Sequence, residues 1–316
     1  MTRPVALRYA YFGTGSFAAR CLELLSGWAP PAWVVTSPPG RAGRGKNLRR
    51  TPVGELVLVG GFAPLTETSD VSSDESVLRN LKNMPVDFVF VVDFGQFIRE
   101  PLLSAGKIGC LNIHPSLLPL YRGAAPLQRA LMDGASETGV TVFRLERGMD
   151  SGPILLTERV LIDSDDDYGS LREKTAVIGT NAFIKLANSA PPESWTFEPQ
   201  DSSRATSAPK IAREEERIDW GRSAAEIERK IRALSPKPGA WTTIRGKRLI
   251  ILSARRAKGH CRDMTPGELS FVGEEPAACT GDGFISLAMV QMEGKKPQPA
   301  INWQNGLRAN AEEYFV

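Results

Sequence analysis

The stretch CLNIHPSLLPLYRGAAP, residues 110–126, joins a strand pattern to a turn and carries two chemically capable side chains. Asn112 and His114 alternate with apolar residues, and prolines follow at positions 115 and 119. Alternation along a strand places the two side chains on the same face. We interpret the stretch as a strand that delivers an amide and an imidazole together to one edge of a sheet.

The residues around this strand alternate between strand and helix patterns. Strand-like apolar runs occupy residues 6–13, 32–37 and 86–95, and helical spacing occurs at residues 16–27 and 165–189. Such alternation predicts an α/β domain of Rossmann-like type with a mostly parallel sheet. Because ligands bind beyond the carboxyl ends of strands in open α/β sheets, the edge that carries Asn112 and His114 is a candidate site.

A change of composition divides the chain. The segment NSAPPESWTFEPQDSSRATSAPK, residues 188–210, is rich in proline and serine and shows little periodicity. We interpret residues 191–208 as a linker between one domain at residues 1–190 and a second domain at residues 209–316. A helix in two pieces is expected at residues 214–236. Short β-like runs with glycine turns follow and predict a small all-β barrel.

Composition excludes several classes of protein. The chain is 42% hydrophobic and 24% charged, as is ordinary for a globular domain. No apolar run approaches the roughly 18 residues of a membrane helix, and the N-terminus has no signal-peptide pattern, so we expect a cytoplasmic protein without membrane contact. The net charge is only +3, but residues 41–50, RAGRGKNLRR, carry five cations and no anion. This basic stretch is compatible with a polyanionic partner.

Two weaker patterns favour structural interpretations. The glycines of GTGSFA, residues 13–18, resemble part of a dinucleotide fingerprint, but Ala18 replaces the third glycine and no acidic residue ends the next strand. A tight β-to-α turn is the favoured interpretation. The four cysteines form no CxxC pair and only two histidines are present, so we expect free thiols and no metal site.

A carboxylate, that of Asp150, lies 36 residues after His114. In ERGMDSGPI, residues 146–154, Asp150 stands between two glycines that allow close approach of a ligand to the backbone. Asparagine stabilises a developing oxyanion, histidine moves a proton near neutral pH, and aspartate orients the histidine. No serine or cysteine nucleophile accompanies them, which favours direct attack by a substrate nucleophile. These residues alone leave open a purely structural strand end.

The complete pattern resembles a known family. N-x-H, S-L-L-P-x-Y-R-G and D-x-G-x-I, in this order, resemble the signature of the formyltransferases that use 10-formyltetrahydrofolate. The later sequence is similar to that of the methionyl-tRNA formyltransferases, through APKIAREEERIDW at residues 208–220 and AAEIERKIRALSPKPGAW at residues 224–241. AGRGKNLRRTPV, residues 42–53, is similar to the loop that these enzymes insert into the tRNA acceptor arm.

The resemblance implies a role for each matching residue. Asn112 and His114 would polarise the formyl carbonyl, and Asp150 would position His114 and help to remove a proton from the α-amino group of methionyl initiator tRNA. The implied folate contacts are Phe94, Gly95, Gln96, Ser116, Leu117, Leu118, Pro119, Arg147, Gly148 and Met149. The implied tRNA contacts are Arg41, Arg44, Lys46, Arg49 and Arg50. The resemblance also implies a Rossmann-like catalytic domain at residues 1–190 and an OB-like tRNA-binding domain at residues 209–316. We expect 10-formyltetrahydrofolate as co-substrate, no metal, and a monomer.

Three alternatives stay open beside this one. A formyltransferase for a small amine, such as a nucleotide-linked amino sugar, would not need the basic stretch at residues 41–50. A non-catalytic tRNA-binding relative fits less well with the presence of all three catalytic residues. A folate hydrolase or dehydrogenase domain fits less well with the second domain. Two departures from the family pattern bear on specificity: SPPGR at residues 37–41, and Asp93 before Phe94-Gly95, where the family commonly has alanine.

Overall fold

The structure is a computed structural model that describes residues 7–42, 47–259, 261, 264–306 and 314–315. The chain forms two compact units. Unit 1 comprises residues 1–123, 137–161 and 172–207, and unit 2 comprises residues 124–136, 162–171 and 208–316. Among the described residues, none of the helices is long and apolar enough to cross a membrane.

The strands of unit 1 form one large sheet and one hairpin. They are β1 (Tyr9–Gly13), β2 (Trp33–Thr36), β3 (Gly40–Ala42), β4 (Asn47–Arg49), β5 (Leu65–Glu67), β6 (Phe88–Val92), β7 (Cys110–His114), β8 (Glu137–Arg144) and β9 (Ile154–Leu161). The large sheet has the order β5-β2-β1-β6-β7-β8-β9. Its first five strands are parallel and β8 and β9 are antiparallel. The antiparallel pair β3–β4 is separate.

The described part of the chain also contains helices. They are α1 (Ser16–Trp28), α2 (Pro52–Gly60), α3 (Glu75–Asn83), α4 (Pro126–Asp133), α5 (Tyr168–Ser189), α6 (Ala224–Leu234) and α7 (Ala300–Gly306). The turn after β1 carries the chain straight into α1, with Gly15 as the residue before the helix. The glycines at residues 13–15 therefore form the β-to-α turn that the sequence predicts.

The central strands of unit 1 are buried on both faces. All five residues of β1 and of β6 are buried. Tyr11 and Phe90 belong to the core on one face of the sheet, whereas Phe12 and Val89 belong to the core on the other. This two-sided burial explains why these strands are apolar throughout rather than alternating, as parallel sheets require.

The strand order creates a switch point. The chain passes from β1 to β2 on one side, and β6 pairs with β1 on the other side. The loops after β1 and β6 therefore diverge at the carboxyl edge of the sheet. Such a crevice is where open α/β sheets bind ligands, and β7 lies immediately beside it.

Unit 2 contains an antiparallel sheet. Its strands are β10 (Ala240–Ile244), β11 (Lys247–Ala257), β12 (Leu269–Val272), β13 (Glu275–Cys279), β14 (Phe284–Met292) and β15 (Gln298–Pro299). They follow the order β10-β11-β14-β13-β12, with β15 on β14. Ile231 of α6 joins Ile251 and Ile285 in the core of this unit. The predicted fold class, a mostly parallel α/β region followed by a small β domain, is confirmed.

Two local features differ from the expectation. The helix expected in two pieces is a 3-10 turn, Arg213–Glu216, and a separate helix, α6, which begins at a capping box of Ser223 and Glu226. Cys261 and Cys279 form a disulfide, so the prediction of free thiols is wrong for this pair. Their Cα atoms lie 5.7 Å apart, a proximity that a spacing of 18 residues does not reveal.

The segment interpreted as a linker packs on unit 1. Trp195 is 8% exposed and belongs to the same core as β1 and β6. Glu198 forms a β-bridge with Ile154, and Ser207 forms one with Arg122. Residues 191–207 therefore belong to unit 1, and the assignment of a catalytic and a tRNA-binding domain stays a prediction.

Candidate active site

The strand β7 carries Asn112 and His114 to the carboxyl edge of the large sheet. It lies between parallel β6 and antiparallel β8, and His114 pairs with Thr141. His114 is 5% exposed, whereas Asn112 is half-buried. Since they are two positions apart on one strand, their side chains share a face. An amide and an imidazole therefore lie together beside the switch point.

The His114 ring is held by two neighbouring loops. Its Nε2 lies 3.0 Å from the carbonyl oxygen of Tyr121, and its Nδ1 lies 3.7 Å from Oδ2 of Asp150. A carbonyl oxygen only accepts, so Nε2 carries the proton in this contact. The separation from Asp150 is longer than a hydrogen bond. Nδ1 therefore faces the Asp150 carboxylate without a direct hydrogen bond to it.

The Asp150 side chain is oriented by an unusual backbone conformation and by a hydrogen bond from one backbone N–H group. Its φ is +46°, a left-handed conformation that residues with a Cβ seldom adopt. Its Oδ2 accepts a hydrogen bond of 2.8 Å from the backbone N–H of Gly123. Two residues on, a Cβ at Gly152 would lie 1.8 Å from the carbonyl oxygen of Arg144, so this position requires glycine. The D-x-G pattern thus has a structural cause as well as a chemical one.

The turn at residues 116–119 supports β7 from inside. Ser116 is fully buried, and its hydroxyl donates a hydrogen bond of 2.6 Å to the backbone carbonyl of Leu120. The Thr141 hydroxyl donates to the carbonyl of Ser116 at 2.7 Å and accepts from the N–H of Leu118 at 3.1 Å. Leu118 is buried, whereas Leu117 and Pro119 keep some exposure. The latter two have surface to offer a folate.

The turn at residues 94–96 lies at the switch point. Phe94 is buried, whereas Gly95 is exposed, has φ +75°, and has open space where a Cβ would stand. The Gln96 side chain accepts from the N–H of Val71 at 2.9 Å and donates to the carbonyl of Thr68 at 2.8 Å. Gln96 therefore holds a neighbouring loop, while the backbone at Gly95 is open to a ligand.

The other predicted contacts are on the surface of unit 1. Arg147, Gly148 and Met149 are exposed in the loop that ends at Asp150, and Met149 is 62% exposed. Their position next to a catalytic candidate is compatible with a folate contact, which stays a prediction.

The basic stretch forms a hairpin stem rather than a simple loop. Arg41 lies on β3 and Arg49 on β4, and both are exposed. Nε of Arg50 lies 3.5 Å from Oε1 of Glu67 on β5. Arg44 and Lys46 lie outside the described residues.

Sequence reasoning missed a residue that holds the site. Gln200, in the segment interpreted as a linker, donates to the backbone carbonyls of Asp150 and Gly152. It also accepts from the guanidinium of Arg122. Its proline- and serine-rich surroundings carry no pattern that predicts these partners, because a backbone carbonyl leaves no mark in the sequence.

The arrangement supports proton transfer and oxyanion stabilisation. Asn112 offers an amide N–H, His114 offers its ring nitrogen Nδ1, and Asp150 lies close enough to compensate a positive charge on the ring. The described residues contain no cluster of three or more His, Cys, Asp or Glu side chains suited to a metal ion.

Comparison with known proteins places this chain in a family. Residues 7–186 match the model of the family described as formyl transferase, and residues 210–308 match its C-terminal domain. A methionyl-tRNA formyltransferase of Roseiflexus sp. (strain RS-1) is 38% identical over 309 residues, which are 97% of this chain and 94% of the relative. That of Paracoccus denitrificans (strain Pd 1222) is 36% identical over 301 residues, which are 95% of this chain and 98% of the relative.

Solved structures share the fold at lower identity. An N-formyltransferase from Helicobacter canadensis, in complex with folinic acid and dTDP-3-aminofucose, has a TM-score of 0.64 at 16% identity and covers 89% of this chain and 99% of its own. HypX from Aquifex aeolicus, in complex with tetrahydrofolic acid, has a TM-score of 0.63 at 17% identity and covers 97% of this chain and 48% of its own. By the matches of sequence along its length, the chain belongs to the methionyl-tRNA formyltransferase family.

Proposed function

We propose that this protein transfers the formyl group of 10-formyltetrahydrofolate to the α-amino group of methionyl initiator tRNA. The observation that carries the proposal is the contact of His114 with Tyr121 and Asp150, beside Asn112 at the carboxyl edge of the sheet. Relatives that span nearly the whole chain bear the name of this activity.

The crevice at the switch point suits a folate. A pterin needs a flat, partly apolar slot with a few directed polar groups. The open backbone at Gly95 supplies polar groups, and Leu117 and Pro119 supply apolar surface. The exposed loop at residues 147–149 offers further backbone groups beside Asp150. 10-Formyltetrahydrofolate, when bound, supplies an activated formyl group.

Three side chains would carry the transfer. Asn112 donates its amide N–H to the formyl oxygen as negative charge develops there. For His114 to donate to the same oxygen, Nδ1 must carry a proton, because Nε2–H is engaged with Tyr121. The ring is then cationic, and the Asp150 carboxylate, 3.7 Å away, compensates its charge. The amine nitrogen bonds to the formyl carbon, the bond from that carbon to the folate nitrogen breaks, and Asp150 assists transfer of the amine proton towards that nitrogen.

The tRNA would meet two regions of the chain. Arg41 and Arg49 of the hairpin offer exposed cations to phosphates. We assign residues 1–190 to catalysis and residues 209–316 to tRNA binding, in agreement with the separate match of residues 210–308 to the C-terminal domain model. Because charged initiator tRNA is the acceptor and all three catalytic residues belong to one unit of one chain, we propose a cytoplasmic monomer.

The test is a comparison of acceptors. Purified protein is incubated with 10-formyltetrahydrofolate and one of three acceptors: methionyl initiator tRNA, a nucleotide-linked amino sugar, or water alone. We expect formyl transfer to the tRNA that weakens steeply with added salt. Transfer to the amino sugar without transfer to the tRNA would replace the proposed acceptor and leave the formyl chemistry in place. Salt-independent hydrolysis alone would contradict a transferase.

A further inference from the structure

Gln200 links the loop of Asp150 to the loop of Arg122. Its Nε2 lies 2.9 Å from the carbonyl oxygen of Asp150 and 2.7 Å from that of Gly152. Its Oε1 lies 3.1 Å from Nε and 2.7 Å from Nη2 of Arg122. One half-buried amide thus makes four hydrogen bonds with two loops that are distant in sequence.

Chemistry fixes the orientation of this amide. Carbonyl oxygens only accept and a guanidinium only donates. The Gln200 NH2 group must therefore face Asp150 and Gly152, and its oxygen must face Arg122. A flipped amide would place two acceptors against each other and two donors against each other. No other of the twenty side chains of this length offers both functions, so Gln200 is specific for this place.

The hydrogen bonds of Gln200 reach the two chain segments that contact the His114 ring. Asp150, on one side of the ring, has a left-handed backbone that its own Cβ disfavours. The peptides at Asp150 and Gly152 are bound on either side of Ser151, which restrains this conformation. Arg122 directly follows Tyr121, whose carbonyl accepts from Nε2 of His114.

Neighbouring bonds anchor the segment that carries Gln200. Arg122 donates its backbone N–H to the carbonyl of Thr206 at 2.9 Å, and the N–H of Tyr121 donates to the Thr206 hydroxyl at 2.8 Å. Glu198 exchanges backbone hydrogen bonds with Ile154 at 2.7 and 2.8 Å. Gln200 therefore lies between two fixed points, and its amide is held against both catalytic loops.

We infer that Gln200 is a positioning residue that sets the distance and orientation of the Asp150 carboxylate relative to His114. This inference rests on the proposed function. Gln200 acts through backbone carbonyls and takes no part in proton transfer. Loss of its two donated bonds releases the left-handed turn at Asp150, and the carboxylate then leaves the position where it compensates the charge on the ring.

The substitution Gln200→Glu separates the two halves of the amide. Glutamate keeps an oxygen for Arg122 and gains a charge there, but it cannot donate to Asp150 and Gly152 when ionised. If the contact with Arg122 were what mattered, this variant would be tolerated. Gln291→Glu is the matched control, because Gln291 in unit 2 also donates to one backbone carbonyl, that of Lys295, at 2.8 Å.

The measurements are steady-state kinetics and hydrogen exchange on the full-length protein. For Gln200→Glu we expect kcat to fall by about 10²-fold, the cost of a misplacement of about 1 Å, with KM for charged tRNA unchanged. Activity should partly return as the pH falls, because a protonated glutamate donates one hydrogen bond. Hydrogen exchange at the Gly123 amide in Gln291→Glu, the control for this measurement, should match that of the wild type. The amide of Gly123, which donates to Asp150 Oδ2 at 2.8 Å, should exchange faster in Gln200→Glu only.

Two results would overturn the inference: unchanged kcat in Gln200→Glu, or unchanged exchange at Gly123. A variant that does not fold is replaced by Gln200→Met, which keeps the length without any polar group and should show the same loss at every pH. If the wild type transfers no formyl group, the proposed function fails. The exchange experiment then still decides whether Gln200 holds the Asp150 loop.

Discussion

The Asp93 carboxylate lies in front of Gly15, where a Cβ on the glycine would be 1.8 Å from Oδ2. Gly15 precedes α1 and has no side chain to cap it. Asp93, which follows β6, supplies the missing acceptor for the backbone N–H groups of Phe17 and Ala18. Its own carbonyl accepts from the N–H groups of Thr14 and Gly15, both at 3.1 Å. Asp93, a departure from the family pattern, therefore joins the two loops of the switch point.

Substitution of Asp93 by asparagine should change how stability depends on pH. Asp93 as a whole residue is exposed, but the protein around its carboxyl group desolvates that group. This burial raises the pKa of Asp93 to about 6, against the opposing effects of the helix amides and Arg172. The folded state then binds a proton more tightly than the unfolded state, whose pKa is near 3.8. Stability contributed by the protonated form is complete below about pH 4 and is lost as the pH rises through about 6.

Urea unfolding of the wild type and of Asp93→Asn, at several pH values between 4 and 7, measures this effect. Asparagine keeps the acceptor oxygen without the charge, so the variant should lose less stability than the wild type across this window. Parallel curves for the two proteins would show that the carboxyl group has the same proton affinity folded and unfolded.

An ion pair in unit 2 should make stability depend on pH in the opposite direction. Arg129 donates two hydrogen bonds, of 2.6 and 2.9 Å, to the carboxylate of Glu215. They lower the pKa of Glu215 to about 2 from its usual 4.5. The stabilisation is present above about pH 4.5 and is lost as the pH falls through about 2. Since the Glu215 side chain is 39% exposed, solvent screens the pair, and we expect about 1 kcal/mol or less.

Unfolding of Glu215→Gln at pH 7 and at pH 3 tests this pair. The variant should be less stable than the wild type at pH 7, with a smaller difference at pH 3. Glu137→Gln is the control, because Glu137 pairs with Arg159, whose side chain is 72% exposed, and should matter less. Equal losses in both variants would mean that the two-bond geometry at Arg129 adds nothing.

The basic hairpin should contribute to binding through phosphates. Arg49 is exposed on β4, opposite Gly40 of β3. Arg49→Ala should weaken binding of charged tRNA and reduce the slope of log Kd against log salt by about one, as expected for one lost phosphate contact. Arg159→Ala, which removes another exposed arginine of unit 1, is the control. A slope that does not change in Arg49→Ala, or that changes equally in the control, would contradict tRNA contact at this position.

Much of the fold follows from local patterns. Apolar runs in β1 and β6 predict a sheet covered on both faces because only two-sided burial favours such runs. The alternation of Asn112 and His114 with apolar residues indicates a strand end, and the structure has that end at the carboxyl edge. The switch point follows from strand order, and the pairing of β1 with β6 is a long-range contact that local sequence does not encode.

The contacts that complete the site are harder to predict. Gln200 lies 50 residues from Asp150 and meets only its backbone, so side-chain identity gives no signal of the pairing. Ser116 matches the family motif as a folate neighbour, which stays a prediction, and its buried hydroxyl holds the turn through a backbone carbonyl that the motif does not reveal. The pairing of Cys261 with Cys279 depends on a tertiary contact within unit 2. Each of these depends on tertiary packing rather than on a local preference.

The most direct test of the proposed chemistry is single-turnover formyl transfer by His114→Ala with saturating 10-formyltetrahydrofolate and methionyl initiator tRNA. Binding of tetrahydrofolate and of charged tRNA is measured on the same preparation. We predict a rate reduced by about 10²- to 10⁴-fold, the usual contribution of a positioned acid or base, with both affinities retained. A variant that binds both substrates and transfers the formyl group at the wild-type rate would contradict the role of His114 and the active site described around it.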